Sequence, residues 1–182
     1  MKIISEQKIV FFLCAIGIFL FFIFSNDPIE GITEKEKTVW AVSLQTAKEF
    51  KDKYDLQFIG IGQSGDDKLL KSLRLSFILD KILSKDEGRK LVLNCVKKLL
   101  DNVNGLKKNQ PFLIDTPFLE NNLGITVYFY KDQEHSSTVY PDICCITVID
   151  GLIYYRFRDP NPPFLYKFSE EETMEDAKRI IN

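Results

Sequence analysis

The sequence is short of the residues that most enzymes and metal proteins depend on. One histidine, His135, stands in 182 residues, which excludes any multi-histidine metal centre. The four cysteines are Cys14, Cys95, Cys144 and Cys145, and no two have the spacing of a metal-binding pair. Cys144 and Cys145 adjoin on a strand-like run, so their side chains point to opposite faces and do not bridge each other. A bridge from Cys95 to either one stays open, against buried reduced thiols as the ordinary reading. A charge excess is lacking as well. With 24 basic and 26 acidic residues the net charge is −2, so no general attraction to phosphate backbones exists and nucleic acid is not an expected partner.

What the sequence does have is one long apolar run. Ile9–Phe24 (IVFFLCAIGIFLFFIF) carries no charge, and its six phenylalanines occupy all sides of a helix. As a helix it would reach about 24 Å, short of a hydrocarbon core of about 30 Å, and Lys8 and Ser25 close the difference at the interface. The run reads as a transmembrane anchor over residues 1–24 that inserts in the lipid bilayer. The alternative is a cleaved secretory signal, against which bulky Phe24 stands where small residues are expected. Lys2 and Lys8 place the N-terminus in the cytoplasm and the remainder on the non-cytoplasmic side.

Residues 25–37 are polar and charged and read as a tether. Residues 38–182 suit one domain. Removing residues 1–24 takes away two lysines and one glutamate, leaving that part near −3. Trp40, Leu44, Ala47, Phe50 and Tyr54 recur every three or four residues and predict a helix over 39–54. A short strand over 56–61 follows, then a loop over 62–67. Leu73, Leu75, Phe77 and Leu79 alternate with polar neighbours as a half-buried strand should. Ser84 and Glu87 have the capping-box form and open a helix that reaches Val103. Strands are expected over 124–130, 143–149 and 152–158, the last two joined by the hairpin dipeptide Asp150-Gly151. Prolines 160, 162 and 163 keep 159–168 extended, and a second capping-box pattern, Ser169 with Glu172, predicts a C-terminal helix. The expected fold class is therefore α+β. The order is α-β-β-α-β-β-β-α, an antiparallel sheet of about five strands with helices on one face, preceded by the membrane helix.

No catalytic, cofactor or metal site emerges. Gly60, Gly62 and Gly65 spell G-x-G-x-x-G, but a dinucleotide site needs a helix next, and a strand pattern follows instead. His135 lies in a polar loop, Lys131–Asp142, without a nucleophile fixed beside it. Glu170, Glu171 and Glu172 suit the positive end of a helix dipole, and Lys68 offsets half the charge of Asp66-Asp67. One surface is suggestive. If Ile125, Val127, Phe129, Ile153, Tyr155 and Phe157 face the helices, then Tyr128, Tyr130, Tyr154, Arg156 and Arg158 face away. Tyrosine and arginine dominate interaction hot spots, and they are also ordinary residues of a solvated strand.

Four short stretches, Phe58-Ile59-Gly60-Ile61-Gly62, Leu73-Arg74-Leu75-Ser76-Phe77, Val127-Tyr128-Phe129-Tyr130 and the Asp150-Gly151 hairpin, resemble a group of functionally uncharacterised single-pass anchored proteins of intracellular bacteria. That resemblance implies the anchored-domain architecture and carries no activity. The expected role is a non-enzymatic interaction or structural domain with a protein partner. A hydrolase with an unrecognised site, or a small-ligand-binding domain, is the alternative. Convergence of Asp66, Asp67, Asp115 or His135 in a pocket would favour the enzyme.

Overall fold

The computed structural model describes residues 32–161 and 166–181. Helix α1 (Glu34–Tyr54) leads into the hairpin β1 (Gln57–Gly65) and β2 (Leu70–Leu79). Helix α2 (Lys85–Gly105) and two short 3-10 turns connect to β3 (Leu123–Phe129), β4 (Ile143–Ile149), β5 (Leu152–Arg158) and β6 (Tyr166–Thr173). Helix α3 (Met174–Ile181) closes the described chain. The strands form one sheet in the order β1-β2-β3-β4-β5-β6.

Two features correct the expected fold. The sheet is mixed rather than antiparallel, because β2 and β3 run parallel, with Leu73 opposite Leu123 and Leu79 opposite Phe129. The cause is α2, which must carry the chain back to the start of the sheet before β3 begins, as a parallel pair requires. The sheet also has six strands, since Ser169–Thr173 continues β6 instead of opening a helix. Ser169 pairs with Arg156 and Glu172 with Ile153. The N-terminal cap of α3 is Thr173, whose hydroxyl accepts from the Asp176 amide at 3.1 Å. Two S/T-x-x-acid patterns follow one another here, Ser169–Glu172 and Thr173–Asp176, and strand pairing to β5 decides between them.

The membrane helix is corrected too. Among the described residues no helix is long and apolar enough to cross a membrane. Helices α1 and α2 each carry charge along an exposed face, and α3 has eight residues. The run Ile9–Phe24 lies outside the described residues.

Helix α1 begins within the stretch read as a tether. Thr33 and Glu36 form a reciprocal capping box at its start, and Asp55 ends it in the left-handed region at φ 60°. Its buried stripe is Val39, Val42, Ala47 and Phe50, interleaved with Thr38, Ser43 and Thr46, while Trp40 and Leu44 are exposed. The stripe is thus rotated from the one the apolar spacing predicts. Three buried hydroxyl residues disguise it. Thr46 resolves its own polarity by donating to the Val42 carbonyl at 2.8 Å and accepting from Asn102 of α2 at 2.9 Å.

All three described helices pack on one face of the sheet. The core lies between them and Leu73, Leu75 and Phe77 of β2, Ile125 and Val127 of β3, Ile146 and Val148 of β4, and Ile153 and Tyr155 of β5. Gly88 of α2 is buried where a Cβ would stand 2.4 Å from Ile146 Cδ1, so the helix approaches β4 closely there. The other face of the sheet carries none of the described helices.

Candidate functional site

Strand alternation brings the expected surface residues to that open face. Tyr128 of β3 stands opposite Cys145 of β4, Cys145 opposite Arg156 of β5, and Arg156 opposite Ser169 of β6. One step along, Thr126, Thr147, Tyr154 and Glu171 make a second row. Tyr128, Tyr154, Arg156 and Arg158 are all half-buried. The Arg156 guanidinium lies 5.3 Å from the Tyr166 ring centroid, a cation–π contact that orders it across β5 and β6. Arg158 donates to Ser137 Oγ at 2.9 Å and ties the face to the loop after β3.

Arginine also reaches the face from β2. Arg74 sits opposite Gly124, and its side chain lies so close over that glycine that a Cβ there would be 2.8 Å from Arg74 Cγ. The open face therefore carries Arg74, Arg156 and Arg158 against Glu171, a positive excess on a chain of net charge −2. Burial holds the Tyr128 phenol above its ordinary range, with Arg156 pulling the other way. The buried Cys145 thiol lies beneath this row, and burial pushes it up to about 11. The thiol is accordingly protonated and inert at neutral pH.

Tyr130 marks the rim. Its ring packs at a tilt against His135, with centroids 4.9 Å apart. The loop that holds His135 is tightly built. The Asp132 carboxylate accepts from the amides of Glu134 and Ser136 at 3.0 and 3.1 Å. The Ser136 side chain first, and then these amides, hold it below the usual carboxylate range. His135 itself adopts φ 57°. Its Nε2 stands 3.5 Å from Oδ1 of Asp80, a side chain only 10 % exposed. Gln57 donates to the other oxygen, Oδ2, at 2.6 Å. Oδ1 has no hydrogen-bond partner among the described residues, so the imidazole is the group nearest to satisfying it. The approach of His135 to Asp80 is not visible in the sequence, because the two are joined only when the loop folds over the ends of β2 and β3.

The other candidate carboxylates do not converge. Asp66 accepts from the amides of Lys68 and Leu69 at 2.8 and 2.7 Å and shapes the β1–β2 turn. Asp115 accepts from Asn122 at 3.2 Å. Gly60, Gly62 and Gly65 all lie within β1, which is longer than expected, so no phosphate-cradling loop is formed. Cys95, Cys144 and Cys145 are free and buried, with no disulfide among them. Among the described residues no three His, Cys, Asp or Glu side chains cluster closely enough to hold a metal ion. A solvent-open cleft of about 500 Å³ runs beside Tyr54, Asp80, Leu83, Lys90, Leu91 and Asn94.

A second polar cluster lies on the helix side and is structural. Arg89 of α2 grips Glu172 of β6 with two bonds, Nε to Oε1 at 2.7 Å and Nη2 to Oε2 at 3.2 Å. It also pairs with Asp86, and the Tyr155 hydroxyl donates to Glu172. Lys85 adds a bond to Glu170 at 2.6 Å and lies 4.7 Å from the Tyr155 ring centroid. The three glutamates expected at a helix start are therefore strand residues, and two of them fasten the last strand to α2. No family model, no curated protein and no solved structure matches this chain.

Proposed function

We propose that this chain is a non-enzymatic docking domain whose open sheet face receives an acidic protein segment. The single observation behind this reading is the composition of that face. Arg74, Arg156 and Arg158 stand against one glutamate among half-buried tyrosines, on a surface that none of the described helices covers. Tyr128, Tyr130 and Tyr154 supply rigid contact area at low entropic cost, and the arginines supply bidentate recognition of carboxylates. The Arg156–Tyr166 contact favours docking further, because an arginine already ordered by an aromatic ring loses less freedom when a carboxylate arrives.

The test is fluorescence anisotropy with a labelled peptide of alternating glutamate and leucine, compared with its lysine counterpart. The acidic peptide is expected to bind more tightly, with an affinity that falls as salt is raised. Arg156→Ala with Arg158→Ala should weaken it at least tenfold while leaving the circular dichroism spectrum unchanged. Equal binding of the two peptides, or an unaffected double variant, would overturn the reading.

A further inference from the structure

The two edges of the sheet are treated in opposite ways. Strand β6 (YKFSEEET) carries four charged residues in eight, and such residues are the usual guard of an exposed edge. Strand β1 (QFIGIGQSG) is nine residues long and carries no charge and no proline. It pairs with β2 on one side, and among the described residues nothing pairs with its other side. A bulge between Phe58 and Gly60 turns Ile59 outward, where it is 50 % exposed. Beyond the bulge the ladder with β2 is regular from Gly60 to Ser64. That stretch is also bare on the open face. A Cβ on Gly60 would meet nothing within 4 Å, and one on Gly62 would meet only Arg74 Cβ, at 3.6 Å.

We infer that β1 is an interface and that its occupant is the β1 strand of a second copy of this chain. An edge ladder supplies main-chain bonds to any extended segment, so the choice of partner rests on charge and side-chain match. The strand itself carries no charge to recruit a charged segment, and the one cation beside it, Arg74 opposite Gly62, projects on the open face rather than along the edge. A neutral strand meets no repulsion there, and the chain itself carries a neutral strand of the right length. Antiparallel pairing about a two-fold axis at Gly62 sets Gly60 opposite Ser64 and Ile61 opposite Gln63, with matching faces throughout the bulge-free stretch. Ile61, half-buried against the helix-side core, is then covered by the incoming strand. The pairing is isologous and joins two six-stranded sheets into one.

Symmetric cross-linking tests this on the full chain. Directly opposed antiparallel residues have Cα atoms about 4.5–5.5 Å apart, within disulfide range. In a Cys14→Ser background, Gly62→Cys should form a disulfide-linked dimer under mild oxidation at least tenfold faster than Gly105→Cys, an exposed control at the end of α2. Adding Gly60→Lys with Ser64→Lys places like charges across the interface and should abolish the cross-link. Gly60→Lys with Ser64→Glu places opposite charges there and should preserve it. Circular dichroism confirms that each variant is folded. A Gly62→Cys rate no faster than the control overturns the inference. Cross-linking that ignores the charge pattern overturns the assigned pairing as well.

Discussion

Replacing Arg89 with methionine is expected to be the most destabilising change on the polar side of the core. Arg89 is 6 % exposed and Glu172 is 13 % exposed. Methionine retains the aliphatic bulk but leaves the Glu172 carboxylate with the Tyr155 hydroxyl alone. Removing one member of a buried pair typically costs about 3–5 kcal/mol, because the other charge stays desolvated. For a folded part of this size that lowers the melting temperature by roughly 10 °C. Arg89→Met with Glu172→Leu removes both charges and should cost less than the sum of the single changes, with a coupling of at least about 1 kcal/mol. The pH dependence carries a second signature. Burial opposes the Glu172 charge, but the hydrogen bonds from Arg89 and Tyr155 outweigh it and hold the carboxyl below the usual glutamate range. A depressed folded value means that this stabilisation is complete above the unfolded glutamate pKa and is lost as pH falls through the folded one. Urea unfolding followed by circular dichroism between pH 7 and pH 3 should therefore show a shallower acid loss in Arg89→Met than in the parent. A variant within about 1 kcal/mol of the parent at pH 7 would refute the reasoning, since so small a cost is typical of exposed pairs.

Gly65 holds φ 134°, and a Cβ there would fall 2.1 Å from the Leu69 carbonyl oxygen. Gly65→Ala should therefore cost about 1–3 kcal/mol in chemical unfolding, through strain at the turn into β2. In a Cys14→Ser background the three remaining thiols should react with a disulfide reagent only after denaturation, because burial raises each of them. Rapid native-state labelling of even one would contradict the buried placement. Asp80→Ala should loosen the loop that holds His135, seen as faster amide exchange over 131–137 with little change in the exchange of β4.

Legibility in the sequence followed the strength of the local pattern. The alternation in β2, β3 and β5 was readable because each of these strands has one buried and one half-exposed face, and the same alternation assigned Tyr128, Tyr154 and Arg156 to the open side. The Ser84–Glu87 cap was readable because both partners of the reciprocal bond lie in the sequence signature, and both bonds form. Helix α1 was placed but rotated, since Thr38, Ser43 and Thr46 are buried and look polar. Strand β6 was hidden because its glutamates suit a helix start locally, while their partners, Arg89 and Lys85, lie more than eighty residues away. The parallel β2–β3 pair is likewise a property of how α2 returns across the sheet, which apolar spacing does not encode. Asp80 and His135 meet for the same kind of reason, through a loop whose path is set by backbone bonds to Asp132.

The strand order has a consequence for how the chain assembles. Each strand lies beside its neighbours in sequence. Growth can therefore proceed by deposition on the edge just made, beginning with the β1–β2 hairpin. Only the step from β2 to β3 spans a long interval, and closing a longer loop is a mild penalty, about 0.6 kcal/mol for each doubling of its length. Low average sequence separation favours rapid folding and suits a chain emerging from its N-terminus during synthesis. The last strand to arrive is β6, and its charged residues discourage any seventh strand from adding there. The order of synthesis thus runs from the permissive edge of the sheet to the forbidding one, and sheet growth within the molecule has a built-in stop.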